Sequence, residues 1–222
     1  GLRRMREHLN DGTFVVVNSD TLIDIDLKAV LEAHRSKSAL ATLVLRRDSE
    51  EPEYGQIEID ELGRVRRILG QGAKRSDLTS MMFTGVHVME PQLLDYIPPD
   101  VETCVIRYGY TKALANNEKI LGFVSEGFWA DAGTPERYFR LNCDALERKL
   151  SLPHLDPLGG YALEPKREVG DVVRMDEGVE LGQDVKIVPP VLLGKDARVG
   201  DHATVGPYAI VGARAQLGRE SQ

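Results

Sequence analysis

The chain has 222 residues, 28 basic and 35 acidic, for a net charge of −7, and 42% of it is apolar. That is the composition of a folded globular protein with one large domain, or one plus a smaller one, and it excludes a disordered or collagen-like chain. No apolar stretch approaches the ~20 residues that span a bilayer, the acidic balance argues against a non-specific nucleic-acid binder, and two cysteines, Cys104 and Cys143, read as reduced thiols of a cytoplasmic protein.

Thr13–Val17 is a β-branched apolar run that predicts a buried strand, and it ends in Asn18-Ser19-Asp20. Asp26 is a good N-cap for a helix reaching His34, with apolar residues at 27, 30, 31 and 33. Leu40–Leu45 predicts a second buried strand. Gly55–Asp60 and Arg64–Leu69 alternate on either side of Glu61-Leu62-Gly63 and predict a hairpin. Met82–Met89 predicts a further strand, and Pro91 opens a helix through Tyr96. Ile106–Asn116 predicts a helix, and Lys119–Ser125 and Gly127–Ala130 predict strands. Thr134, followed by Pro135, caps a last helix that reaches about Lys149.

Strand and helix alternation with an internal hairpin means α/β with a mixed sheet. In open α/β sheets, ligands sit at the carboxyl ends of strands. Asp20 ends the first strand and Asp131 ends the strand around Trp129. Two carboxylates converging there would suit a hard divalent cation such as Mg²⁺. Each aspartate taken alone is equally a turn or capping residue.

Pro and Gly density between about 150 and 168 marks a connection. Beyond it an aliphatic–glycine pair recurs every six residues: Leu181-Gly182, Leu193-Gly194, Val199-Gly200, Val205-Gly206, Val211-Gly212 and Leu217-Gly218. The pattern misses only at Ile187-Val188, which Pro189-Pro190 follows. A small apolar residue lies two positions before each aliphatic one: Val179, Val185, Val191, Ala197, Ala203, Ala209 and Ala215. Such a repeat predicts short strands with two inward residues, a glycine freeing the backbone for each corner, and three hexads to a triangular coil. It is similar to the hexapeptide repeat of left-handed parallel β-helices. The expected division is 1–150, a linker at 151–168, and the β-helix over 169–222.

Several segments of the first part resemble one family. Val15-Val-Val-Asn-Ser-Asp20-Thr-Leu-Ile-Asp-Ile-Asp26-Leu resembles a conserved segment of the sugar-1-phosphate nucleotidyltransferases, and Tyr54-Gly55 before the hairpin resembles their sugar loop. Phe83-Thr-Gly85-Val-His-Val-Met-Glu-Pro91 and Gly127-Phe-Trp-Ala-Asp131-Ala-Gly-Thr-Pro-Glu-Arg-Tyr138 are similar to two more, and a hexapeptide tail is common in the same family. The closest flavour is the mannose-1-phosphate guanylyltransferase-like group. The resemblance implies a Rossmann-like mixed-sheet nucleotidyltransferase domain followed by a left-handed parallel β-helix. It implies a reaction in which a sugar-1-phosphate attacks the α-phosphate of a nucleoside triphosphate and pyrophosphate leaves. By carry-over Asp20 and Asp131 hold Mg²⁺, Gly55 and Gly85 allow the backbone to approach the sugar, and Tyr54 and Thr84 neighbour it.

Two departures stand against the family pattern. The glycine-rich phosphate loop is expected before Gly1, so the nucleotidyltransferase domain reads as N-terminally incomplete, with an open sheet edge that favours a homo-oligomer or a further segment. The family's Glu-Lys-Pro falls on Gly70-Gln71-Gly72, which puts neutral Gln71 where a Lys would meet phosphate. Lys74 or Arg75 is a substitute, or the stretch is a solvated loop. A catalytically degenerate sugar-nucleotide-binding or regulatory homologue is therefore the alternative. An acyltransferase carried by the repeat is a third reading, with His202 its sole candidate catalytic residue.

Overall fold

A computed structural model describes residues 1–47, 56–99, 101–154, 167–168 and 173–221. They form two compact units, Gly1–Trp129 and Ala130–Gln222.

The first unit opens with a 3₁₀ turn, Leu2–Met5, and the short α1, Arg6–Leu9. There follow β1 (Phe14–Val17), β2 (Thr21–Ile23), α2 (Leu27–Ser36), β3 (Ala41–Arg46), β4 (Gln56–Ile59), β5 (Val65–Ile68), β6 (Gln71–Gly72) and β7 (Thr79–Met89). After 3₁₀ residues Pro91–Tyr96 and a π-helical turn, Val105–Tyr110, come α3 (Thr111–Ala115) and β8 (Ile120–Val124), and β9 (Trp129–Asp131) starts at the last residue of this unit. The main sheet runs β6-β5-β4-β7-β3-β8, with β1 also on β7. The eleven-residue β7 is its spine. It pairs antiparallel with β4 through Met81↔Ile57, with β1 through Val88↔Val15, and with β3 through Val88↔Thr42. β8 lies parallel to β3.

The sheet curls. At the hairpin tip Asp60 Oδ1 accepts from the backbone N–H of Leu62 and Arg64, and Gly63 takes φ 75°. The tip then folds onto β8, where the Gly122 N–H donates to the Gly63 carbonyl at 2.8 Å. At position 122 a Cβ would lie 2.5 Å from Leu45 Cδ1 and 2.9 Å from Ile59 Cγ2, so any larger residue forces these core side chains to shift.

Side chains alternate across β3, which explains its continuous apolar run. Leu43 and Leu45 join Ile57, Ile68, Met89, Leu93, Tyr110 and Ile120 on one face. Val44 joins Val30 of α2, Val86 and Val88 on the other. Each such burial stabilises by about 1.5–3 kcal/mol. The Asp26 carboxylate caps α2 by accepting from the Ala29 N–H at 3.0 Å.

Three expectations need correction. The first strand is half-buried, with Val17 52% exposed, because among the described strands β1 pairs with β7 alone. The helix expected over Ile106–Asn116 is a π-helical turn that becomes α-helical only at Thr111, around a Gly109 packed against Ile97. The residues 70–76 expected as a solvated loop include the short edge strand β6, paired through Ile68↔Gln71.

The second unit holds α4 (Pro135–Leu146) and the repeat. Its strands are β10 (Arg167–Glu168), β11 (Val173–Met175), β12 (Glu180–Leu181), β13 (Lys186–Ile187), β14 (Val191–Leu193), β15 (Arg198–Val199), β16 (Thr204–Val205), β17 (Ala209–Val211) and β18 (Gln216–Leu217). They stack as parallel ladders β11-β14-β17, β12-β15-β18 and β13-β16, and β10 adds antiparallel to β11. Val173 pairs with Val191 and Val191 with Ala209, a step of 18 residues, or three hexads. This is a parallel β-helix. Val191, Leu193, Ala197, Val199, Ala203 and Val205 fill its interior.

The glycines of the repeat serve differently from expectation. The left-handed corner residue is the one two places after the glycine: Asp184 (φ 53°), Asp196 (57°), His202 (58°), Tyr208 (61°) and Arg214 (62°). Gly182 and Gly200 instead make room for the next coil, while Gly206 itself takes φ 100°. A Cβ on Gly182 would meet the Asp201 N at 2.6 Å, and one on Gly200 the Arg219 N at 2.7 Å.

Candidate functional site

β1 and β3 both run antiparallel to β7, and β8 is parallel to β3, so these three strands point the same way. Their carboxyl ends lead to Asp20, to Arg47 and to Ser125–Trp129. Tyr54 and Gly55 lie outside the described residues. Topology alone thus brings three loops to one end of the sheet, where ligands bind in open α/β folds.

Asp20 sits in the exposed turn between β1 and β2. The turn is anchored just before it. The Asn18 N–H donates to the Gly85 carbonyl at 3.0 Å. Gly85 has φ 88°, and a Cβ there would lie 2.8 Å from Asn18 Nδ2. Gly85 therefore lets Asn18 close on β7, and in this structure its open side is filled by that side chain.

Thr84, the other expected sugar neighbour of β7, is 1% exposed, and its hydroxyl donates to the Val44 carbonyl at 2.8 Å. Its side chain faces the core; its own carbonyl faces outward enough to accept from Trp129 Nε1 at 2.9 Å. The loop before Trp129 is fixed by the Asp24 N–H donating to the Phe128 carbonyl at 2.9 Å, and by Arg46, whose guanidinium donates to the Gly127 carbonyl. Only glycine fits at 127, where a Cβ would lie 2.1 Å from the Asp24 carbonyl oxygen. Sequence reading passed over Asn18, Arg46 and Trp129 as positioning groups, although the first and last stand inside the motifs.

Asp131 lies in the second unit, at the end of β9 and just before α4. Its Oδ1 accepts from the Gly133 N–H at 2.8 Å, and its Oδ2 accepts from the Arg137 guanidinium. The Asp131 side chain is 17% exposed.

Gln71 is exposed on β6. Arg75, one of two cations offered as a substitute for the family lysine, is held by Asp77, with Nε donating to Oδ1 at 2.9 Å. That hydrogen bond holds the Asp77 carboxyl below its ordinary range. His202 of the β-helix is a corner residue, its N–H donating to the Gln183 carbonyl and its ring 3.7 Å from Asp184.

Each aspartate by itself offers the oxygen donors that a hard divalent cation takes. A carboxylate offers about four lone-pair sites; each oxygen of Asp131 has at least one donor on it, and Asp20 is exposed. Small hard cations take one or two carboxylates and complete their shell with water and substrate phosphate. Among the described residues there is no cluster of three or more His, Cys, Asp or Glu set to hold a metal, and no helix long and apolar enough to cross a membrane.

Comparison with known proteins bears on the family and the fold. A family model described as nucleotidyl transferase matches residues 2–148. The chain is 25% identical over 214 residues to a UTP–glucose-1-phosphate uridylyltransferase of Synechocystis sp., covering 87% of this chain and 54% of that protein. It is 33% identical over 145 residues to a mannose-1-phosphate guanylyltransferase of Mycobacterium tuberculosis, covering 65% and 40%. A solved Bacillus anthracis structure, a proposed glucose-1-phosphate thymidylyltransferase in complex with sucrose, superposes with TM-score 0.50 at 17% identity over 64% of this chain and 58% of that one, a likeness of fold. The chain spans about half the length of the curated relatives it matches. With a curled mixed sheet that gathers its loops at one end and a family model matched from residue 2 to 148, the chain belongs to the nucleotidyl transferase family.

Proposed function

We propose that the protein forms a nucleoside diphosphate sugar and pyrophosphate from a nucleoside triphosphate and a sugar-1-phosphate, and that its product is of the GDP-mannose type. The observation that carries this reading is the exposed Asp20 turn at the shared carboxyl end of β1, β3 and β8, pinned to β7 by Asn18 and Gly85. The mannose sugar and guanine base are supported by the relatives named mannose-1-phosphate guanylyltransferase. Residues 1–150 would carry the chemistry and 169–222 the β-helix, joined by 151–168.

Little covalent work falls to the protein in such a transfer, and positioning with charge stabilisation sets the rate. Asp20 and Asp131 would hold a Mg²⁺, which when bound neutralises charge on the phosphates. Asn18 and Gly85 keep the Asp20 turn in place, and the Trp129–Thr84 hydrogen bond fixes the strand that leads to Asp131. Tyr54 and Gly55 would meet the sugar.

The test is pyrophosphate release by the native polypeptide with Mg²⁺, GTP, UTP or dTTP, and a panel of sugar-1-phosphates. We expect turnover greatest with GTP and mannose-1-phosphate, and a fall of about 100- to 1,000-fold in kcat on Asp20→Asn or Asp131→Asn. A second reading, a sugar-nucleotide-binding or regulatory homologue, is favoured by neutral Gln71 and by the Asp77 hold on Arg75. Binding of a sugar nucleotide with no turnover of any pair would establish it in place of the first.

A further inference from the structure

We propose that Arg137 is a positioning residue that sets the charge of Asp131, so that this carboxylate takes a divalent cation readily only when a phosphate-like anion draws the guanidinium away. The inference rests on the reading of Asp131 as a metal ligand. It begins with a local rule that the sequence breaks. Thr134 is the N-cap of α4, its hydroxyl accepting from the Arg137 N–H at 3.2 Å, with Pro135 in the first turn. Arg137 is therefore the third residue of the helix. That position lies at the positive end of the helix dipole, and in a capping box it carries Glu or Gln. An arginine there works against both, and a residue that violates local preference marks function or strain.

Asp131 accounts for it. The guanidinium donates to Oδ2 while the Gly133 N–H donates to Oδ1 at 2.8 Å, so both oxygens are oriented from within one turn of chain. The pair is asymmetric: the Asp131 side chain is 17% exposed and that of Arg137 is 42% exposed. The carboxylate is the more buried member and the guanidinium the one more open to solvent and to an incoming anion. While it stays, an incoming dication meets a carboxylate whose charge is cancelled and a like charge beside it. A planar guanidinium also pairs bidentately with phosphate oxygens, so a bound phosphate competes for it directly. Arg137 would then couple cation binding at Asp131 to the arrival of the anionic substrate.

The experiment is Mn²⁺ binding to the native polypeptide, followed by the electron paramagnetic resonance of free Mn²⁺, with no nucleotide present. Arg137→Gln is expected to bind Mn²⁺ about 5- to 20-fold more tightly than the wild type, as loss of a neighbouring unit charge implies at high dielectric. Arg137→Lys, which keeps the charge, should remain near wild type. Sulfate, exchanged for chloride at equal ionic strength, should narrow the gap between wild type and Arg137→Gln. Unchanged or weaker Mn²⁺ binding in a folded Arg137→Gln protein, or a gap that sulfate leaves as it was, overturns the proposal. An Asp131→Asn protein that binds Mn²⁺ like the wild type instead removes Asp131 from the metal site, which is a separate failure.

Discussion

His87 stands near the carboxyl end of β7 and is 3% exposed. Its Nδ1 lies 2.9 Å from the Tyr110 hydroxyl, and its ring meets Phe83 edge-on at 4.6 Å. Burial pushes its pKa down to about 3 from the ordinary 6.5, and pushes the fully buried Tyr110 up, so the imidazole is neutral and the phenol donates to it. The unfolded chain binds a proton at this residue below pH 6.5 that the folded chain refuses until about pH 3. The native state is therefore fully favoured above that window and loses stability as pH falls through it, by up to about 1.4 kcal/mol per pH unit. Glu90 adds to the acid sensitivity: burial opposes its ionisation, but hydrogen bonds from Thr13 and His34 outweigh that and lower its pKa. Urea midpoints measured from pH 7 to 4 should fall steadily in the wild type and fall less in a His87→Phe/Tyr110→Phe protein, which leaves no buried hydroxyl unpaired. Equal slopes would show that His87 is not the group responsible.

At the scale of elements, Gly182 and Gly200 of the β-helix are held to glycine by the coil stacked on them. Gly200→Ala drives a Cβ to 2.7 Å from the Arg219 N and 2.8 Å from the Gly218 carbonyl carbon, where only backbone can yield. We predict a loss of about 1–3 kcal/mol. Lys195→Ala, an exposed substitution in the same helix, should leave stability unchanged within about 0.5 kcal/mol. Thermal melts of the two variants side by side decide the point. The β-helix was legible because inward residues such as Ala197 and Val199 recur with the period of the coil. The reason for the glycines was not, because it lies 18 or 19 residues away in the next coil. Nothing local to Gly182 announces Asp201. The candidate site shows the same limit. Asp20, Gly85 and Asp131 stand inside recognisable motifs, but the inward turn of Thr84 depends on Val44, 40 residues earlier, and the paired state of Asp131 on the helix geometry that follows it.

In the molecule as a whole, the two units follow different rules of construction. The first is held by contacts far apart in sequence, with β7 joined to β1, β3 and β4. The second is built from neighbours, each coil resting on the one 18 residues away. The family match, residues 2–148, reaches past the end of the first unit at Trp129 and takes in α4. Nearest-neighbour construction makes stability a sum over coils and the interfaces between them. A tandem copy of residues 182–199 placed after Val199 should thus fold with every inward residue still inward. A 17-residue copy lacking one member should expose that set and become susceptible to limited proteolysis within the repeat. Equal protease resistance of the two proteins would count against the 18-residue register. The pairing of Leu181 with Val199 and Val199 with Leu217 has a consequence for descent as well. Length in this part of the protein is quantised: lineages can gain or lose it in whole turns, while the sheet that gathers Asp20 and its neighbouring loops has no comparable unit to add or subtract.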